Sequence, residues 1–275
     1  MTRKAPASLF LLTAAALLAL GLGGAGGARA GAFSDWAAVV VAGDFHAHSG
    51  GPSEAFDNAR RDMTRELEAA GFSPSNVRQF SVRPQLYPAE HVMQSEPRLI
   101  GSQLASLASQ ARGGCLVYFT SHGSPAGVVV GDRLLSPAGL ARMVDDACGP
   151  RLTVVILSAC FSGVFVPPLS KPERMVLTAA RPDRSSFGCG ESDKYPYFDT
   201  CLIQTLPQSM DFVQLAGATK ACVAAREKAT HMAPPSEPQL FVGPQFRPVA
   251  PFYRFAVSQT ADADPHDPSP GQGSP

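Results

Sequence analysis

Three short runs, residues 37–43, 115–121 and 152–159, carry apolar and β-branched residues almost without a polar break. A strand with one wet face alternates apolar with polar residues, so runs of this kind demand cover on both faces. The segments between them have helical spacing: Met63, Leu67 and Ala70 within residues 57–70, stopped by Gly71, and Leu104 and Leu107 within residues 99–112. Residues 77–82 and 174–180 predict two more strands, and residues 198–210 and 213–228 two more helices. An apolar ribbon at 128–135 runs into Ser136-Pro137, an N-cap with proline at the first helical position, and that helix closes at Cys148-Gly149-Pro150. Strands alternating with helices predict an α/β chain whose mostly parallel central sheet is covered by helices on both faces.

The chain of 275 residues, 45% of them apolar, suffices for one sizeable core, and residues 31–257 read as a single domain. Ahead of it, Arg3 and Lys4, an apolar run at 9–22 and Ala28-Arg29-Ala30 follow the order of a secretory signal peptide. Cleavage after Ala30 and export to the periplasm or beyond are therefore expected. The run is shorter than the roughly 18 residues of a membrane span and is broken by glycine, so no stable membrane insertion is expected after cleavage. Residues 258–275, rich in Pro, Asp, Gly and Ser, predict a disordered tail. The 23 basic residues cancel the 23 acidic ones, so no global field selects nucleic acid or an anionic membrane as partner.

Two of the predicted strands end in reactive residues. Residues 116–123 close on Ser121-His122-Gly123, and residues 153–160 on Ser158-Ala159-Cys160. One crossover helix joins them, which makes them plausible parallel neighbours, and sites in open α/β sheets lie at the carboxyl ends of strands. Neighbouring strands are about 4.8 Å apart, close enough for both side chains to reach one carbonyl. A thiol is a few per cent thiolate at neutral pH and needs a nearby imidazole to attack efficiently, which His122 supplies. Gly123 lacks a Cβ, so its N–H, with that of Cys160, is suited to hold a developing oxyanion. By pattern alone the competing reading, an inert strand-end cysteine and a His-Gly turn, carries about the same weight.

Residues 118–123, Tyr-Phe-Thr-Ser-His-Gly, and 158–163, Ser-Ala-Cys-Phe-Ser-Gly, resemble the His-Gly and Ala-Cys blocks of legumain-like cysteine peptidases, relatives of the caspases. The resemblance continues through residues 176–189, with Thr178-Ala179-Ala180, Pro182 and Ser185-Ser186-Phe187-Gly188-Cys189, and upstream through 39–43 and Asp57; in all it spans residues 36–247. It implies a caspase-like three-layer sandwich, a covalent acyl-enzyme on Cys160 with His122 as general acid and base, a peptide or protein substrate, and no metal or organic cofactor. By position Ser186 and Asp199 match residues that line the specificity pocket, which in legumains takes asparagine or aspartate. Ser158 stands where animal legumains carry an acid two positions before the nucleophile, so that charge is lost here. The family's arginine after the first strand has no counterpart in residues 43–54. His46 and His48 in that loop are the candidates for the family's third residue, which orients His122 and contacts substrate; a plain surface-loop role is the alternative. A metal role for His46-x-His48 finds no further ligands at a recognisable spacing.

Export permits disulfides, and the six cysteines are Cys115, Cys148, Cys160, Cys189, Cys201 and Cys222. With Cys160 as nucleophile an odd number remains, so at least one more thiol stays free or pairs between chains. Cys115 opens one strand and Cys148 closes the helix leading into the next, both at the edge away from the reactive residues, which makes them the first choice for a bridge. Cys189, Cys201 and Cys222 leave room for one more with no pair preferred, and all five read as structural. Two further readings of the same residues stand beside hydrolysis: a transamidase in which an amine captures the thioester, and an inactive binding module that has kept the fold.

Overall fold

The computed structural model of the chain describes residues 1–2 and 31–256; residues 3–30 of the expected signal segment and the expected tail at 258–275 lie outside the described residues. The central sheet has seven strands: β1 (Trp36–Ala42), β2 (Val77–Ser81), β3 (Met93–Gln94), β4 (Gly114–Thr120) and, further along the chain, β8 (Thr153–Ser158), β9 (Arg174–Thr178) and β10 (Gln239–Val242). Between β4 and β8 runs a small antiparallel ribbon of β5 (Gly123–Ser124), β6 (Gly127–Val130) and β7 (Arg133–Leu135). Helices α1 (Ala55–Ala69), α2 (Pro97–Gln110), α3 (Pro137–Cys148), α4 (Val166–Leu169), α5 (Tyr197–Thr205) and α6 (Phe212–Ala229) complete it. The strand order is β10-β9-β8-β4-β1-β2-β3, parallel except for β10.

Every residue of β1, β4, β8 and β9 is buried, as the mostly apolar runs of the first three require; β9 buries Arg174 at its start, where the guanidinium pairs with Asp145. The two-residue period of a strand then divides the interior into two cores. Ala38, Val40, Leu116, Tyr118, Val154 and Ile156 face α1, α5 and α6, while Val39, Val41, Val117, Phe119, Val155 and Leu157 face α2, α3 and α4. This is the caspase-like α/β three-layer sandwich that the resemblance implies. At roughly 1.5–3 kcal/mol for each large apolar side chain, these two layers are the main term opposing chain entropy.

Local signals stop α1 and open α3 where expected, whereas α5 ends at Thr205 rather than at residue 210, short of Pro207. The N–H groups of Gly71 and Phe72 bond back to the carbonyls of Glu68 and Leu67, with Gly71 at φ +108°, which stops α1 in a Schellman motif. Ser136 accepts from the Gly139 N–H and Pro137 opens α3. Cys115 and Cys148 are bridged, and Cys201 pairs with Cys222 to tie α5 to α6. By loop-closure entropy each bridge contributes about 3–4 kcal/mol. Among the described residues, no helix is long and apolar enough to cross a membrane.

From β1 the chain passes through α1 to β2 on one side, then returns through α2 to β4 on the other, so the order reverses between β1 and β4. Crevices at such a switch point, at the carboxyl ends of the strands, are where open α/β sheets bind ligands.

Candidate active site

β4 and β8 are hydrogen-bonded neighbours with Thr120 opposite Ser158, so the chain leaves both strands at the same edge. His122 and Cys160 each follow by two residues, and both line one cavity of about 510 Å³ together with Gly123, Ser186 and His48.

The ribbon fixes the backbone at His122. The Val129 N–H donates to the His122 carbonyl at 2.9 Å, and Ser121 Oγ donates to the Val129 carbonyl at 2.8 Å. The ribbon passes so close to the end of β1 that a Cβ on Gly43 would stand 2.2 Å from the Val129 oxygen. The His122 ring packs edge-on against Phe56 with centroids 5.2 Å apart, and its Nε2 lies 2.9 Å from the His46 carbonyl. A carbonyl only accepts, so Nε2 carries the proton and Nδ1 keeps the lone pair of the neutral ring. His46 is held in turn by Asp44, whose Oδ1 accepts from the N–H groups of Phe45 and His46 at 2.7 and 3.1 Å and from the His46 ring Nδ1 at 2.7 Å.

Cys160 stands on a sharp turn. The next residue, Phe161, has left-handed backbone angles of φ +57°, ψ +12°, an unfavourable conformation for a bulky side chain. Its N–H donates to the Arg184 carbonyl at 2.8 Å and its carbonyl accepts from the Val164 N–H at 3.1 Å, which pins the turn. The Cys160 sulfur accepts from the Ser186 N–H at 3.3 Å and lies 3.6 Å from the Ser186 carbonyl and hydroxyl. A Cβ on Gly123 would come within 2.3 Å of the Cys160 carbonyl oxygen. The His122-Gly123 and Cys160 backbones are thus in direct contact at a point that admits only glycine.

Ser158 lines a smaller cavity beneath Cys160, and its hydroxyl donates to Asp199 at 2.8 Å. Asp199 itself departs from the expected position. It is fully buried and lines neither cavity, because the hydroxyls of Tyr118 and Thr120, at 2.7 and 2.6 Å, complete a cage around its carboxylate with Ser158. The acid missing before the nucleophile therefore has a carboxylate directly behind it, one hydroxyl removed from the cavity.

Burial pushes the Asp199 pKa up from 3.8 to about 6, with the three hydroxyl donors opposing the shift. Between those two values the folded protein keeps a proton that the unfolded chain has lost, so stability falls as pH rises through the window, by about 3 kcal/mol in all. Asp199→Asn has no proton to lose and is expected to lack this slope. Urea unfolding of both proteins at pH 4 and pH 7 measures it; parallel pH dependences would contradict the assignment.

Cys189, read from sequence as structural, is unpaired and lines both cavities with Cys160. Burial first, then the neighbouring Cys160 and Asp193, pushes its thiol up to about 11. His48 is on the cavity wall and its N–H donates to the Cys189 carbonyl at 3.2 Å, whereas the contact that orients His122 comes from the main chain of His46. Among the described residues no three His, Cys, Asp or Glu side chains gather as a metal site.

A caspase-like sheet with a thiol and an imidazole at the ends of adjacent strands is the architecture of a clan of cysteine peptidases. The solved caspase-1 of Spodoptera frugiperda is similar in fold, with a TM-score of 0.55 and 14% identity over 76% of this chain and 88% of that one. The model of the peptidase C13 family, the legumain family, matches residues 66–230, more than half of the chain. The chain belongs to that family. No curated protein matches it.

Proposed function

We propose that this protein is an exported cysteine endopeptidase in which Cys160 is the nucleophile and His122 the general acid and base. The observation that carries the reading is the shared cavity of Cys160 and His122 at the ends of two adjacent parallel strands. The substrate carbonyl is taken to lie over Cys160 with its oxygen toward the N–H groups of Gly123 and Cys160. The sulfur attacks as its proton passes to His122, Nδ1 being the nitrogen left free by the His46 contact. The tetrahedral adduct collapses as His122 protonates the leaving amine, giving a thioester and a shortened amine product. Water, deprotonated by the same imidazole, then hydrolyses the thioester and restores the thiol. Export rests on the leader sequence and is supported by the two disulfides, which persist in oxidising compartments.

Incubation of the reduced protein with a peptide library, read by mass spectrometry, tests this. Free-acid products are expected; joined peptides in the presence of an added amine would favour transamidation instead, and intact peptides throughout would contradict both.

Asp44 is expected to act as a positioning residue, since one carboxylate oxygen organises the turn that offers the His46 carbonyl to His122. Asp44→Ala should lower kcat about 10-fold or more and shift the pH–rate profile, because a mispositioned ring changes proton transfer. Asp44→Asn, which keeps an acceptor for both N–H groups, should recover most of the loss. A pH–rate profile for Asp44→Ala that superimposes on wild type would count against this role.

A further inference from the structure

The cavity beside Cys160 is unevenly charged. Among the described residues Asp193 is the one carboxylate on its wall and, apart from the imidazoles of His48 and His122, no cationic side chain lines it. Asp193 is half-buried and fixed, its Oδ2 accepting from the Gly190 N–H at 2.7 Å, while Oδ1 has no partner among the described residues. One more acid stands beside the same wall: Glu191 follows Gly190, and its carboxylate accepts from the Ser49 hydroxyl at 2.7 Å. Neighbouring cations are engaged elsewhere: Arg184 pairs with Asp183 at 2.8 Å, and the Lys194 ammonium sits 4.7 Å over the Tyr195 ring and 3.9 Å from Asp62. Phe161 and Phe187 add aromatic surface to the cavity.

A substrate carboxylate entering here would lose water and meet a fixed like charge, whereas a cation would exchange water for a carboxylate and aromatic faces. We propose that the cavity receives a positively charged side chain of the substrate, lysine or arginine, with Asp193 as the specificity-determining carboxylate. This rests on the peptidase reading above, and it differs from the asparagine or aspartate that the resemblance to legumains implies. A cavity of about 510 Å³ has room for either long side chain.

Binding separates the selectivity from the chemistry. Fluorescently labelled peptides that differ at one residue, Arg, Lys, Asn or Asp, in an otherwise constant Gly/Ser/Ala sequence are titrated into the full Cys160→Ala protein, with anisotropy as readout. The Arg and Lys peptides should bind at least tenfold more tightly than the Asn and Asp peptides. That advantage should shrink with added salt and largely disappear in Cys160→Ala/Asp193→Asn, which keeps the acceptor for Gly190, and return in Cys160→Ala/Asp193→Glu. Asn or Asp peptides binding as tightly as the Arg peptide, or a cation preference that survives Asp193→Asn, would overturn the proposal. Selective binding by Cys160→Ala beside a wild-type protein that cleaves none of the peptides would uphold the selectivity and sink the peptidase reading alone.

Discussion

Cys160→Ala is expected to abolish peptide cleavage, lowering kcat/KM by about a thousandfold or more, with little change in thermal stability. The second half of that expectation follows from how little the sulfur does for the fold. It is partly exposed at the end of β8, outside both cores, and its contacts are one N–H at 3.3 Å and two oxygens at 3.6 Å. The nearby Cys189 cannot take over. Its thiol, pushed up to about 11 by burial, stays protonated at neutral pH and is a poor nucleophile. Iodoacetamide at pH 7 should therefore label Cys160 in the wild type and leave Cys160→Ala unmodified over the same interval. Retained cleavage in the variant, measured with the folded state checked by circular dichroism, would remove the nucleophile from this account.

Gly123→Ala should be nearly as damaging to activity, with a fall in kcat of about a hundredfold, although the change adds a single methyl group. The new Cβ would stand 2.3 Å from the Cys160 carbonyl oxygen and 3.0 Å from the Ala159 Cβ, and the first of these is backbone that cannot rotate away. Relief requires the turn after β4 or the turn after β8 to shift, and a displacement of about 1 Å between reacting groups costs on the order of a hundredfold in rate. Overpacking of this kind costs about 1–3 kcal/mol of stability, so the protein should remain folded while kcat falls. Steady-state kinetics paired with a denaturation curve separates the two effects; wild-type kcat in this variant would mean that the two turns do not meet as described.

The parts of the fold that were legible in the sequence are those where burial is complete on both faces. β1, β4 and β8 are buried throughout, and their nearly unbroken apolar runs give them away; β9 is buried as well, although it opens on Arg174. β10 is not marked in the sequence because its apolar run, Leu240-Phe241-Val242, is only three residues long, and β3 has only two residues. The site was legible in its two reactive side chains, since a thiol and an imidazole at strand ends have a chemical signature. The groups that orient them do not. The His46 contact is a main-chain carbonyl, a group that every residue type carries, and only the fold brings it to His122.

Asp199 shows the limit from the other side. Its place in the first turn of α5 was readable, but its direction was set by three hydroxyls, Tyr118 and Thr120 from β4 and Ser158 from β8, that draw it under the sheet end and away from the cavity. For Cys189 the parity of the cysteine count already required one more thiol that is free or pairs between chains; which one it is depended on α5 and α6 bringing Cys201 to Cys222.

The most direct measurement is the rate of covalent labelling by a peptidyl acyloxymethyl ketone at pH 7, followed by intact mass for wild type, His122→Ala and Cys160→Ala. The wild type should gain a single label at Cys160, His122→Ala should react about a hundredfold more slowly or worse, and Cys160→Ala should not react. Equal rates in wild type and His122→Ala, or a label that maps to Cys189, would contradict the pairing of thiol and imidazole across the ends of β4 and β8.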